Sequence, residues 1–378
     1  MWHTLHRILT ALWVGLLVPV VGLAALLAVV AETAGGRLCG VGFFVGGLAA
    51  MLLAVAPLLP SGRQAVRPGA AGLGVFVACV LGAAGVAPSG VSPPGARITS
   101  VWAGDATYPR WSLANLVPEI DQFKMGTWLV AVDPHIDLAQ SAALRDMFLA
   151  VYRDMRTDPD TVEAGSSMHF AYRDLFTGRA SSGHLYVVRP AVESSKPAST
   201  ALFLHGTLGS FKGYAHVLRG LADRCGLTII APDYGAGFWF REGGPRAVAD
   251  AVAWADSQPA LDAPRTLIGL SGGGFGVSRA AVDMPHQWDE VVYLSGILES
   301  DWMGPVATAA NRPITVVWGE QDRRLSHGHT LAGIEGLEAA GARVRRLSWP
   351  EEDHFLFFSQ PEAVLDALAA SLSTCGAP

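Results

Sequence analysis

The sequence predicts an α/β domain, a mostly parallel sheet flanked by helices, preceded by three transmembrane helices. Three observations lead there. The chain opens with three long apolar runs free of charge, and from about residue 165 short apolar runs alternate with segments of helical period. A serine also sits between glycines at one strand-to-helix junction, Gly269-Leu-Ser-Gly-Gly273. Strands alternating with helices imply parallel βαβ units with both faces of the sheet covered.

The uncharged runs are Ile8 to Ala31, Leu38 to Leu59 and Gly69 to Pro88. At about 1.5 Å rise per residue, each is long enough as a helix to cross a hydrocarbon core of about 30 Å. Residues 1–90 thus read as a membrane anchor with spans at 8–31, 38–59 and 69–88. A cleaved signal peptide is the alternative for the first run, since Arg7 precedes it and Ala31-Glu-Thr-Ala34 resembles a cleavage site. The apolar core is too long for that, and two further spans follow. Arg7 flanks the first span and Arg63 and Arg67 separate the second from the third, whereas the first loop carries Glu32 and Arg37. The positive-inside rule then places the N-terminus in the cytoplasm and everything after Pro88 outside it. The spans hold no charged residue, which argues against an ion or proton pathway. Gly42-Phe-Phe-Val-Gly46 suits close packing of helices within the bundle.

The 378-residue chain is 51% hydrophobic and 16% charged, with a net charge of −6. No Lys/Arg cluster offsets that balance, so nucleic acid is not an expected partner.

Residues 91–160 read as a linker and helical segment. Ser89 to Ser100 is rich in Ser, Gly and Pro, and Leu138 to Met155 has apolar residues near helical spacing. Trp102, Trp111, Phe123 and Trp128 add aromatic weight. Asp133-Pro-His-Ile-Asp137 has the residue types of a metal site, but no second cluster completes a ligand shell. Helix capping is the expectation there, and no metal or organic cofactor is expected anywhere.

From residue 161 the α/β domain begins. Met168 to Leu175 and His184 to Val188 are predicted as two strands joined by the turn Thr177 to Gly183. Six further strands are predicted at Ala201–Leu204, Leu227–Ala231, Thr266–Leu270, Val291–Leu294, Ile314–Trp318 and Val344–Trp349. Helices are expected near 213–224, 245–257, 273–283, 328–340 and 361–373.

Functional groups in such a sheet collect at the carboxyl ends of strands. Ser271 follows one strand, Asp322 follows another in Gly319-Glu-Gln-Asp322, and His354 follows a third in Asp353-His354. Acyl transfer needs a nucleophile, a base for its proton, and a carboxylate to orient the imidazole. His205-Gly-Thr-Leu-Gly209, after the strand ending at Leu204, adds backbone N–H groups able to stabilise an oxyanion. Asp301 is the alternative carboxylate, while His205 is expected to brace its loop and His327 and His329 to be solvated.

With these motifs in this order, residues 165–378 resemble the α/β-hydrolase superfamily. The resemblance implies Ser271 as nucleophile, His354 as base, Asp322 as acid, and the N–H groups of Thr207 and Gly272 as oxyanion donors. Leu208 and the aromatic run of Phe238, Trp239 and Phe240, which follows the strand ending at Ala231, are the candidate substrate-binding residues, with a place in the core or against the membrane as the alternative for the run. The family layout also brings the helix ending at Cys225 and the helix before Cys375 to one edge of the sheet, which implies a disulfide between them. The expected function is a membrane-anchored serine hydrolase of carboxylic esters, with the lipid bilayer and a small or lipid-like ester as partners. An acyltransferase with the same triad, a peptidase, and an inactive tethered binding module are the alternatives.

Overall fold

A computed structural model describes residues 2–59, 62–103, 106–130, 135–136, 138–192, 199–309 and 313–375. Two compact units emerge, one of residues 1–88 with 109–130, the other of 89–108 with 131–378. The division splits the 91–160 segment between them.

The first unit is built on α1 (Trp2–Val30), α2 (Ala34–Val55) and α3 (Gly62–Val86). All three are long and apolar enough to cross a membrane, with mean hydropathies of 2.6, 2.3 and 2.0 over Arg7–Val30, Ala34–Leu58 and Gln64–Val86. Outward side chains such as Leu12, Leu16 and Leu23 are exposed, as suits a face that meets lipid. Glycines on α2 allow the helices to touch. A Cβ on Gly42 would lie 2.8 Å from the Cβ of Cys79 on α3, and one on Gly40 only 2.3 Å from the backbone nitrogen of Ala28 on α1.

Two short helices, α4 (Leu113–Leu116) and α5 (Glu119–Val130), complete this unit. Asp121 of α5 is fully buried, and its carboxylate accepts the N–H groups of Glu32 (2.6 Å) and Thr33 (3.3 Å) at the link between α1 and α2. Lys124 pairs with Glu32 at 3.1 Å, and Arg110 Nε donates to the Ala84 carbonyl at 2.9 Å.

The second unit holds an eight-stranded sheet of β1 (Ile98–Trp102), β2 (His184–Val188), β3 (Thr200–Leu204), β4 (Thr228–Pro232), β5 (Thr266–Leu270), β6 (Glu290–Leu294), β7 (Pro313–Gly319) and β8 (Arg343–Trp349). Their order is β1-β2-β4-β3-β5-β6-β7-β8. β2 runs antiparallel to both β1 and β4, and the other pairs are parallel. This is the α/β-hydrolase fold. Strands β2 to β6 are buried along their whole length, the expected state of strands covered on both faces.

The helices of this unit are α6 (Leu138–Met155), α7 (Pro159–Glu163), α8 (Met168–Thr177), α9 (Lys212–Cys225), α10 (Gly243–Asp256), α11 (Gly273–Asp283), α12 (Ser300–Ala309), α13 (His327–Ala339), α14 (Leu356–Ser359) and α15 (Pro361–Ser371). One core forms where α10 to α13 cover the sheet, around Trp239, Trp288 and Val277. The other forms under α9, α14 and α15, around Phe203, Leu218, Phe357 and Leu365. Cys225 and Cys375 are disulfide-bonded, tying the end of α9 to the turn after α15.

Two expectations are overturned. The strand expected at Met168 to Leu175 is helix α8, whose buried residues Met168, Ala171 and Asp174 recur every third position. The linker expected over 89–100 runs into β1, whose register pairs Ile98 with Val188 and Trp102 with His184. Of the Asp133 to Asp137 group, Asp133 and Asp137 lie outside the described residues, and no cluster among the described residues could hold a metal ion.

Candidate active site

Ser271 stands at the turn from β5 into α11 with φ of +50°, a left-handed conformation that costs a non-glycine residue strain. Three bonds hold it. Its N–H donates to the Leu294 carbonyl at 3.0 Å, and its carbonyl accepts from Gly274 N (2.9 Å) and Ile297 N (3.0 Å). The turn needs glycine because the chain crosses itself closely: a Cβ on Gly273 would sit 2.2 Å from the Leu204 carbonyl oxygen.

His354, in the loop after β8, reaches Ser271 through Nε2, 2.9 Å from the serine Oγ. Its Nδ1 lies 2.7 Å from Oδ2 of Asp322. Asp322, in the loop after β7, is buried, and its other oxygen accepts the N–H groups of Arg324 (2.7 Å) and Leu325 (2.8 Å). Those two donors fix the carboxylate plane, which in turn selects the imidazole tautomer with hydrogen on Nδ1 and a lone pair facing the serine. Asp301, the alternative carboxylate, lies instead in the first turn of α12, exposed beside Ser300.

The turn after β3 lies against this group. A Cβ on Gly206 would come within 3.8 Å of Ser271 Oγ, and one on Gly272 within 3.1 Å of Thr207 N. The backbones of Thr207 and Gly272 are thus neighbours beside the serine hydroxyl. Among the described residues neither N–H has a protein acceptor. His205 braces this turn from inside. It is fully buried, its Nδ1 lies 2.8 Å from the Gly206 carbonyl oxygen, and its Nε2 accepts the Tyr234 N–H at 3.1 Å. Burial is the main cause that lowers its pKa, so the ring is neutral and donates from Nδ1.

The expected pocket residues divide. Leu208 is 56% exposed and held at φ +85°, and Phe240 is 45% exposed. Phe238 is half-buried under the Arg241 guanidinium, 4.4 Å from its ring centre. Trp239 is different. It is fully buried, and its Nε1 donates to the His205 carbonyl at 2.9 Å, so it is core and cannot line a pocket. His327 is likewise less free than expected, because its Nδ1 accepts from Trp318 Nε1 at 2.9 Å.

In the loop after β4, which carries Phe238 to Phe240, the sequence reading missed Gly237 and its support from Asp174. Gly237 there has φ of +82°, and a Cβ on it would lie 2.3 Å from the Gly206 carbonyl oxygen. Asp174 of α8, fully buried, holds this loop by accepting from Ala236 N (3.0 Å) and Arg241 Nη1 (2.6 Å). The sequence signal available was the spacing of Gly235 and Gly237 just after a strand.

No protein-family model and no curated protein matches the chain. Solved structures do resemble it. FphF, a fluorophosphonate-binding serine hydrolase of Staphylococcus aureus, is 15% identical and aligns 53% of this chain with 98% of its own, at a TM-score of 0.43. EstE1, a thermophilic carboxylesterase cloned from a metagenomic library, is 16% identical over 53% of this chain and 90% of its own, at 0.41. A putative dienelactone hydrolase from Klebsiella pneumoniae subsp. pneumoniae is 20% identical over 53% and 99%, at 0.41.

Proposed function

We propose that the chain is a membrane-anchored serine hydrolase of carboxylic esters acting outside the cytoplasm, with Ser271, His354 and Asp322 as its triad. The observation that carries this reading is the relay of contacts, Ser271 Oγ to His354 Nε2 at 2.9 Å and His354 Nδ1 to Asp322 at 2.7 Å. His354 Nε2 takes the hydroxyl proton as Ser271 Oγ attacks the ester carbonyl. The new C–O bond turns the carbonyl oxygen into an oxyanion, which the N–H groups of Thr207 and Gly272 receive. Asp322 stabilises the imidazolium. His354 then returns the proton to the departing alcohol as the ester C–O bond breaks, leaving an acyl-Ser271. Water, deprotonated by the same Nε2, attacks that acyl group and releases the acid.

Esters are favoured because the exposed side chains on the turns after β3 and β4, Leu208 and Phe240, are apolar and suit an acyl chain. The three apolar helices supply the anchor. The test is rapid mixing of the detergent-solubilised full chain with a p-nitrophenyl ester. A burst of nitrophenol equal to the enzyme concentration, absent from Ser271→Ala, is expected from an acyl-enzyme. A wild type that folds yet shows no turnover would end this reading.

A further inference from the structure

The two hydrogen bonds of His354 fix an axis and not a plane. With Nε2 held at Ser271 (2.9 Å) and Nδ1 at Asp322 (2.7 Å), the imidazole is still able to roll about the line that joins its two partners. One ring lies where it can stop that roll. Phe355, the next residue, stands perpendicular to the imidazole, at 89° between planes and 5.5 Å between ring centres, an arrangement that aromatic pairs favour. Phe355 is itself only half-buried and lies on a loop, so its own ring needs holding.

Two groups hold it. Phe148 of α6 meets the Phe355 ring at 82° and 6.1 Å, and the Arg324 guanidinium lies 5.5 Å from its centre. Arg324 is also a residue whose N–H fixes Asp322, so this contact and the carboxylate belong to one loop. Phe148 in turn rests on the buried Phe358, 4.7 Å between ring centres, and the Phe358 N–H donates to the Phe355 carbonyl at 2.8 Å. The helix that carries Phe148 is firmly seated. Tyr152, one turn further on, is buried over Gly213 of α9, where a Cβ would lie 3.6 Å from its ring, and the Asp154 carboxylate meets Nε2 of His216 on α9 at 2.8 Å. α6 precedes every strand and helix that supplies the triad, and no step of the reaction uses it.

We propose that Phe148 is a positioning residue: through Phe355 it sets the plane of the His354 ring, and with it the alignment of Nε2 on the Ser271 hydroxyl. The consequence for rate rests on the hydrolase reading above; the effect on the ring does not. Truncating Phe148 takes away one wall beside Phe355, whose ring then samples other rotamers, and the imidazole spends less time aligned with Oγ. Acylation and deacylation both pass through Nε2, so kcat falls whichever step limits it. KM changes little, because no group that holds the ester is removed.

The test uses the detergent-solubilised full chain and a p-nitrophenyl ester. Phe148→Ala should lower kcat by about tenfold or more with KM within about twofold, and Phe148→Tyr should recover most of that loss. Val151→Ala, which trims the same helix against the same core, should stay within about twofold of wild type. Phe355→Leu should lose about as much as Phe148→Ala, and the double variant no more than the worse single one, because the two residues act in series. In parallel, protein carrying histidine labelled with carbon-13 at Cε1 should show the His354 resonance, identified by its absence from His354→Gln, displaced in Phe148→Ala and returned by Phe148→Tyr. An unmoved His354 resonance in Phe148→Ala overturns the proposal, and so does an active enzyme in which that variant keeps the wild-type kcat. Losses that multiply in the double variant, or an equal loss in Val151→Ala, overturn it too, since α6 then supports the fold alone. Should Phe148→Ala not fold, Phe355→Leu decides by the same two readings. A folded wild type without turnover, whose His354 resonance still answers to Phe148→Ala, removes the hydrolase reading and leaves the positioning intact.

Discussion

Two groups in the second unit contain a serine, a histidine and an aspartate, and they are wired differently. At Ser271 the imidazole stands in the middle, bonded to the serine on one side and to Asp322 on the other. At Ser167 the carboxylate stands in the middle: Asp233 accepts from Ser167 Oγ at 3.1 Å and pairs with His184 Nδ1. His184 Nε2 is buried with no partner among the described residues. Ser167 is also sealed, 1% exposed, whereas Ser271 is half-buried and strained into the left-handed region. Nearby there is a cavity of about 360 Å³ lined by His184 and Asp233, yet Ser167 does not line it. The contrast teaches that residue types do not make a nucleophile. A base must face the hydroxyl, and the hydroxyl must face a substrate.

The largest effect should come from the aspartates. Asp322→Asn is expected to lower kcat by about 10⁴-fold by favouring the wrong imidazole tautomer, with melting little changed. Asp301→Asn should stay within about twofold, being unable to act through the same histidine. Ester kinetics on purified variants decide this, and a large loss in Asp301→Asn with none in Asp322→Asn would reverse the assignment.

Asp233→Ala should do the opposite. Removing the hydrogen-bond partner of a fully buried histidine destabilises by about 1–3 kcal/mol, read as a lower denaturation midpoint, while the fraction that remains folded keeps its turnover. Equal stability losses in Asp233→Ala and Asp322→Asn would erase the distinction between the two groups.

The smallest effect is on pH dependence. Burial first, and then the neighbouring His184 and Arg173, lower the pKa of His169 from 6.5 to about 4, with Asp233 opposing them. The unfolded chain therefore binds the extra proton first. Stability linked to His169 is complete above about pH 6.5 and falls as pH drops toward about 4. His169→Gln should flatten part of that slope in thermal melts across this window, and an unchanged slope would remove His169 from the account.

Much of the sheet was legible because its inner strands are short apolar runs between turns, and β3 to β7 fall within a residue or two of the expected positions. Ser271, Asp322 and His354 stood out in the sequence because each follows a predicted strand, Ser271 after β5, Asp322 after β7 and His354 after the exposed edge strand β8. The far edge was not. Met168, Phe170 and Tyr172 recur at every second position as in a strand, although Met168, Ala171 and Asp174 share the face a helix buries. β1 is a five-residue strand half exposed along most of its length, and its partner β2 is distant in sequence, so pairing rather than local pattern makes it extended. No local sequence pattern marks Asp121. Its burial against Glu32 and Thr33 depends on contacts that no local pattern encodes.

Reactivity is expected at Ser271 and not at the sealed Ser167 group. Incubating the solubilised full chain with a fluorophosphonate and mapping the adduct by peptide mass spectrometry tests it directly. The account predicts one phosphonyl group per chain, carried by Ser271, with Ser167→Ala labelled at a rate within about twofold of wild type and Ser271→Ala unlabelled. An adduct on Ser167, or a folded wild type that takes up no probe, would contradict it.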